Sequence, residues 1–455
     1  MFFPVFAALV ALAPPASPTA TIATVSRETS PATQKAIAFE EYRLPNGLRV
    51  ILAPDPFAPV IAVNVTYDVG SRDEKPGRTG FAHLFEHMLF QGSEKVGKGE
   101  HILLTTSVGG TMNGSTNQDR TNYYEALPKN QLRLAVFLEA DRMRALDISQ
   151  ANLDNQRAVV QEERRQSYDN RAYGQAYEAL LNLAYTNFAY KHSTIGSLKD
   201  LDAATLDDVR DFFATYYVPG NAVLTIAGDF AVADAKRYVS EYFGVIAKKP
   251  NPPRIDPAEP SRFVAGERRK TLPDRLARQT RLTHGYVTVA GNAPDADALT
   301  ILGDILYSGR TSRLYKSLVE TGLVTGAGAG LSEGRGPSLF TISATLPPGK
   351  NGAGTVAAVE SVINAEVERV AKNGVTPEEM ERAIRANRVA LAGAYRTALS
   401  RASALSLYAV YFDDPNRVNT RAASLAKVSA KAVQAAAKKY LTAANRSVVV
   451  VEPGQ

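Results

Sequence analysis

The sequence predicts an α+β protein built from two homologous domains, each with strands first and helices after. Three observations predict it. SLAKVSAKAVQAAAKKYLTAANRSVVVVEP at 424–453 aligns without a gap on DLDAATLDDVRDFFATYYVPGNAVLTIAGD at 200–229. The constant offset of 224 sets Leu201, Val209, Tyr216 and Asn221 on Leu425, Val433, Tyr440 and Asn445. FAHLFEHMLF at 81–90 lies over ALTILGDILY at 298–307 at an offset of 217, with its apolar positions matched. Between the halves, KKPNPPRIDPAEPSR at 248–262 carries five prolines, the composition of an extended linker.

These observations divide the chain into a leader at 1–25, a first domain at 36–247, the linker at 248–262 and a second domain at 263–455. A length of 455 residues suits two or three domains, and 45% hydrophobic with 22% charged residues is ordinary for a globular chain. The net charge of +6 is spread along the sequence, and clusters such as Glu267-Arg268-Arg269-Lys270 mix acids with bases. That pattern reads as a solvated face and argues against nucleic acid as a partner. With no cysteine, disulfides, thiolate metal sites and a cysteine nucleophile are excluded.

The first element, MFFPVFAALVALAPPASPTATIA, is an apolar run followed by small residues and prolines, as in a secretory signal peptide, although no Lys or Arg precedes it. It predicts a periplasmic or secreted protein. The run is short for a membrane helix, and no later segment has about 18 uncharged apolar residues, so no stable membrane span is expected.

FAHLFEHMLF follows. Two of the five histidines, His83 and His87, stand four positions apart with Glu86 beside them. On a helix that spacing stacks both imidazoles on one face, where they can meet one cation. The apolar flanks Phe81, Leu84, Phe85, Met88, Leu89 and Phe90 make unpaired charge costly, so a bound metal explains the triplet better than a salt bridge does. Two imidazoles need a third protein ligand and an open position to make a catalytic zinc site. NLDNQRAVVQEERRQS at 152–167 is the best source, but adjacent Glu162 and Glu163 diverge by about 100° on a helix and the residues alone leave the choice open. Over 200–229 an amphipathic helix with Thr205 as N-cap is followed by a Pro-Gly turn and a buried strand. In the second half, Thr300, Gly303 and Asp304 stand where the His-Glu-His triplet would be, so only the first half carries a candidate site.

HLFEH resembles the inverted zinc-binding motif of the pitrilysin and insulysin peptidases, which include the mitochondrial processing peptidases and their bacterial relatives. The resemblance extends through GGTMNGSTNQDRTNYYEALP at 109–128, RAVVQEERRQ and TIGSLKDLDAATLDDVRDFFATYYVPGNAVLTIAGDF at 194–230. It implies one zinc per chain, held by His83, His87 and Glu163, the last lying 76 residues past the second histidine. It implies that Glu86 is the proton acceptor of a zinc metalloendopeptidase, and that Asn113 and Gly114 lie on a strand edge that pairs with an extended peptide substrate.

Two departures from the family pattern stand out. Gln156 occupies the place of an outer-shell Glu seven residues before the ligand. SLVETGLVTGAG at 317–328 has Val319 and Thr325 or Gly326 where an Arg and a Tyr would hold the substrate carbonyl. The family fold implies one half of a clamshell. The other half would be a related subunit lacking HxxEH and bearing the Arg-Tyr pair, giving a heterodimer, with a homodimer as the alternative. A non-catalytic scaffold of the same fold is a further reading, against which the intact His83, Glu86, His87 and Glu163 stand.

Overall fold

The computed structural model describes residues 36–57, 59–253, 266–349 and 353–454. The leader at 1–25 and most of the linker lie outside the described residues. The strands form two sheets, with β-branched residues concentrated in central strands such as VIAVNVTY at 60–67 and RSVVVVEP at 446–453. The first contains β1 (Glu40–Arg43), β2 (Arg49–Pro54), β3 (Val60–Tyr67), β4 (Thr111–Thr116), β5 (Thr121–Pro128) and β6 (Ala222–Gly228), in the order β1-β2-β6-β3-β5-β4. The second contains β7 (Arg268–Asp274), β8 (Arg281–Val287), β9 (Gly326–Ser332), β10 (Leu339–Thr345) and β11 (Arg446–Pro453), in the order β7-β11-β8-β10-β9. Apart from β1 the two orders are the same, with one parallel pair in each, β2 with β6 and β7 with β11. The strands-first expectation therefore needs correction. In each half the last strand, β6 or β11, returns after the helices and inserts between the first two strands shared by both sheets.

Five helices of the first half matter for the site: α1 (Phe81–Met88), α2 (Glu100–Ser107), α3 (Leu132–Arg144), α4 (Gln150–Arg164) and α5 (Ala176–Ala184). Thr205 caps the helix Leu206–Tyr216 through a capping box with Asp208, as its sequence predicts.

The central strands of each sheet are buried on both faces, and the second cover comes from the other half. Along β2, Val50 and Leu52 enter the core shared with α1 and Leu206–Tyr216, while Ile51 and Ala53 meet Ala402, Leu405 and Ala409 of the helix Ala398–Phe412. Reciprocally, Leu180 and Leu181 of α5 pack on Val287, Val449 and Val451 of the second sheet. Gly285 has no side chain because a Cβ there would stand 2.8 Å from Leu180 Cδ1. Burying a leucine such as Leu405 or Leu180 stabilises by about 1.5–3 kcal/mol, so this exchange of helices ties the two halves together.

Candidate metal centre

α1 begins at Gly80, whose left-handed φ of 89° brings it against Gly196 (φ 71°) so closely that neither position has room for a Cβ. With no side chain at its N-cap, the helix is capped by a more distant residue. The buried carboxylate of Glu74 accepts from Gly80 N at 3.0 Å, Ala82 N at 2.8 Å and His192 Nε2 at 2.9 Å. These contacts satisfy first-turn N–H groups and put negative charge at the helix N-terminus, where the dipole favours it. Burial still raises the Glu74 pKa above its ordinary value. Phe81, Leu84, Phe85 and Met88 of α1 face the core. That packing turns His83, Glu86 and His87 toward α4 and β4.

α4 brings Glu163 to the histidine pair. His87 Nε2 lies 3.4 Å and His83 Nε2 3.7 Å from Glu163 Oε2, and the three candidate ligand atoms fall within 4.8 Å of one another. Glu162 turns away to Gln166 and Arg165. Gln156, two turns before Glu163 on the same face, is buried near His87, whose protonated form it favours, and its Nε2 donates to Asn155 Oδ1 at 2.7 Å. Burial, with His87 adding to it, pushes His83 down to about 4, so its imidazole is neutral and in the form that binds metal. At His87 burial acts downward as well, but the bond to Glu163 and the nearby Glu86 outweigh it and the pKa rises. The same bond lowers Glu163.

Glu86 stands beside this group with its carboxylate aimed. Thr116 Oγ1 donates to Glu86 Oε2 at 2.6 Å, and Gly114 lets β4 approach, since a Cβ there would be 3.0 Å from Glu86 Oε1. Burial raises the Glu86 pKa, opposed by the Thr116 hydroxyl, His87 and Arg120. Thr116, Glu74 and His192 were not identified from sequence. Only Thr116 left a signal, because its place two residues after Gly114 puts it on the same face of a strand.

β4 is an edge strand, paired on one side only, with Asn113 opposite Tyr124 and Gly114 opposite Tyr123. Asn113 is exposed, and its Oδ1 accepts from Gly114 N at 2.8 Å. A cleft of about 450 Å³ opens here, walled by Glu86, His87, Phe90, Ile102, Thr106 and the stretch from Gly110 to Asn113. In the second half, Thr325 Oγ1 donates to Thr345 O. Arg313, the nearest arginine to Val319 on its N-terminal side, is bound to both oxygens of Glu379 at 2.7 and 2.8 Å.

Residues 49–197 match the model described as Insulinase (Peptidase family M16), and 203–387 match that described as Peptidase M16 inactive domain. The fold and these two tandem matches define a protein of the M16 peptidase class: the first match holds β2–β5 with α1–α4, and the second runs from β6 through β10. The chain belongs to peptidase family M16, the pitrilysin and insulysin type. It is 30% identical to the zinc protease PqqE of Helicobacter pylori over 287 residues, which span 62% of this chain and 64% of that protein. It is 27% identical to an uncharacterized zinc protease of Streptomyces coelicolor over 75% of this chain and 74% of that one. A crystal structure of a protease from Helicobacter pylori superposes with a TM-score of 0.85 at 25% identity, over 91% of this chain and all of that one. The first half of the periplasmic protease PqqL from Escherichia coli shares the fold, with a TM-score of 0.73 at 16% identity over 92% of each chain.

Among the described residues no helix is long and apolar enough to cross a membrane.

Proposed function

We propose that the chain is the zinc-bearing subunit of a metalloendopeptidase, with His83, His87 and Glu163 holding one zinc ion and Glu86 acting as general base. The observation that carries this reading is the meeting of two imidazole Nε2 atoms and a carboxylate oxygen within 4.8 Å, next to a carboxylate already oriented by a hydroxyl. Two histidines and one carboxylate are a catalytic zinc donor set with a position left open, and the neutral His83 suits it. When bound there, zinc would supply Lewis acidity and lower the pKa of water toward 7.

The side chains would do the rest. With Oε2 held by Thr116, Glu86 has Oε1 free to accept a proton from water and to return it to the leaving amine. The outer edge of β4 offers main-chain groups to an extended peptide, and Asn113 Oδ1 would yield the Gly114 N–H to it. Unfolded peptides and small polypeptides are therefore the substrate class. Arg313 is committed to Glu379, and Val319 and Thr325 offer no cation. This supports a partner, a related subunit with an Arg-Tyr clamp and no HxxEH, ahead of a homodimer. The apolar run within residues 1–25 supports an exported protein, periplasmic or secreted. The domain division at 248–262 belongs to the same proposal, as does a dimer that closes a four-domain chamber.

Elemental analysis of the purified protein together with hydrolysis of unstructured peptides tests the reading. One zinc per chain is expected, and Glu86→Gln should keep it while losing about 10²–10⁴-fold in rate. A chain without zinc affinity, or a full-rate Glu86→Gln protein, would overturn it.

A further inference from the structure

α2 is dressed the wrong way round for a helix that walls a cleft. Ile102 and Leu103 are 48% and 64% exposed, and the only buried side chains of α2 are His101 and Thr105. What fastens this helix to the fold is therefore polar. His101 Nε2 meets Glu125 Oε1 of β5 at 2.5 Å, with both side chains buried. Behind them Glu139 and Arg142 of α3 form a two-pronged ion pair, one prong Arg142 Nε to Glu139 Oε2 at 2.9 Å, and the Arg142 guanidinium lies 4.5 Å from the centre of the Tyr123 ring.

His101, Glu125 and Glu139 could by themselves be read as a second metal site. Arg142 already occupies the cationic position against Glu139. Its single charge faces two buried carboxylates, so the enclosed group is neutral only with one further proton, between Glu125 and His101. Burial raises both Glu125 and Glu139 to about 7, while burial and Arg142 push His101 down to about 3, so the proton stays on the carboxylate pair. Glu139 is held by Arg142, and Glu125, with no ion-pair cation bonded to it among the described residues, is the one placed to hold the proton toward a neutral imidazole. The charged groups facing His101 are Glu125 from β5 and Glu139, Asp141 and Arg142 from α3.

On its outer side α2 contributes Ile102 and Thr106 to the cleft beside Glu86 and His87, and it joins β4 through Gly110 N to Thr105 O at 3.0 Å. We propose that His101 is a positioning residue for the substrate cleft, fastening α2 through Glu125 and so fixing the wall made by Ile102 and Thr106. The proposal rests on the reading of this cleft as the peptide site. The sign of its pH dependence follows from Glu125. A carboxyl group whose pKa is higher in the folded protein costs nothing below its unfolded value and destabilises progressively as pH rises to about 7. The hold on α2 should weaken over that range.

Amide hydrogen exchange and steady-state kinetics on the zinc-loaded full chain test this. His101→Leu should accelerate exchange across 100–110 by about tenfold or more while α1 and α4 keep their protection. It should raise KM for an unstructured peptide by about tenfold, with kcat within about twofold and zinc content unchanged. Glu125→Gln keeps a neutral hydrogen bond to His101 and should retain most of the protection while abolishing its pH dependence. Unchanged α2 protection in His101→Leu overturns the proposal, as does acceleration spread evenly over the chain. If His101→Leu does not fold, the comparison of wild type with Glu125→Gln between pH 5 and 8 decides, and a flat wild-type profile refutes the anchor. A wild-type chain that cleaves no peptide yet shows the expected exchange would refute the peptidase reading and leave the anchor standing.

Discussion

The two halves of the chain answer the same structural problem, a helix laid against an edge strand, in opposite ways. In the first half, α1 approaches β4 with Glu86 turned toward Gly114, and a cleft remains beside them. In the second, the helix Pro294–Leu306 has Gly303 at the position of Glu86, and it closes on β9 until a Cβ at Gly303 would stand 2.9 Å from Gly330 Cα. The ligand pair is replaced too. Asp304, counterpart of His87, accepts from Asn387, which stands at the 224-residue offset from Glu163. Thr300, counterpart of His83, bonds back to Ala296 O at 3.1 Å. The scaffold was kept in both halves, and what differs is whether the helix-strand seam is filled by backbone contact or by ionisable side chains around a space. A neutral amide bonding a carboxylate needs no cation, whereas two imidazoles, Glu163 and Glu86 in a half-buried pocket leave room and donors for one.

The largest effect that would break this comparison lies in the ligands. Glu163→Gln and His83→Ala should each lose most of the zinc and with it the activity, while Glu162→Gln, whose carboxylate faces Gln166 and Arg165, should keep both. Zinc retained by Glu163→Gln and lost by Glu162→Gln would show that α4 presents its other carboxylate. Asn387→Ala, at the equivalent place in the second half, should leave zinc content untouched.

Next in size is the effect of a partner. Losing a donor aimed at developing carbonyl charge typically costs about 2.7–4 kcal/mol, roughly a hundred- to thousandfold in rate. The isolated chain should bind zinc normally and hydrolyse peptides slowly, and a related subunit with the Arg-Tyr pair should raise the rate by a factor of that order. Mixing the two and then replacing the partner's Arg or Tyr measures it. Full activity of the isolated chain, unaltered by any partner, would assign the work to a homodimer.

A smaller effect is expected from pH. Because His87 holds its proton more tightly than an ordinary histidine in the metal-free protein, zinc must displace that proton. Affinity should fall by about tenfold per pH unit below the His87 pKa, with one proton released per zinc bound. Titration calorimetry in buffers of different ionisation enthalpy counts the protons, and binding without release would remove His87 from the ligand set.

Much of this site was legible in the sequence because it is local: HLFEH fixes two donors and a base on one helical face, and the repeated 200–229 segment announces the second half. The choice between Glu162 and Glu163 was not legible from the residues, since a helix presents both and only the packing of α4 on α1 selects one. The Thr116 bond to Glu86 joins positions 30 residues apart through the β4 edge; strand alternation sets Thr116 on the face of Gly114, but does not say that α1 packs there. The exchange of α5 and Ala398–Phe412 was hidden for a similar reason. An amphipathic pattern says that a face is buried and does not say which half buries it.

The smallest prediction compares one substitution at two equivalent seams. Gly303→Ala puts a methyl group 2.9 Å from a backbone Cα, so the helix or β9 must shift, and overpacking of this kind destabilises by about 1–3 kcal/mol. Alanine's better helix propensity returns up to about 1 kcal/mol of that. Gly114→Ala meets Glu86 Cγ and Oε1 at 3.0 Å and Tyr123 Cδ1 at 3.2 Å. Glu86 borders a cleft, and its side chain can yield where backbone cannot. The stiffer residue also narrows the unfolded ensemble, a gain of about 0.4–1 kcal/mol where the native backbone tolerates it. Denaturant unfolding should therefore find Gly303→Ala less stable than wild type and Gly114→Ala equal to or slightly above it, with zinc content normal in both. Equal losses in the two variants would mean that the first seam is packed as tightly as the second, and the space beside Glu86 would then have to be explained by something other than a helix held off its strand.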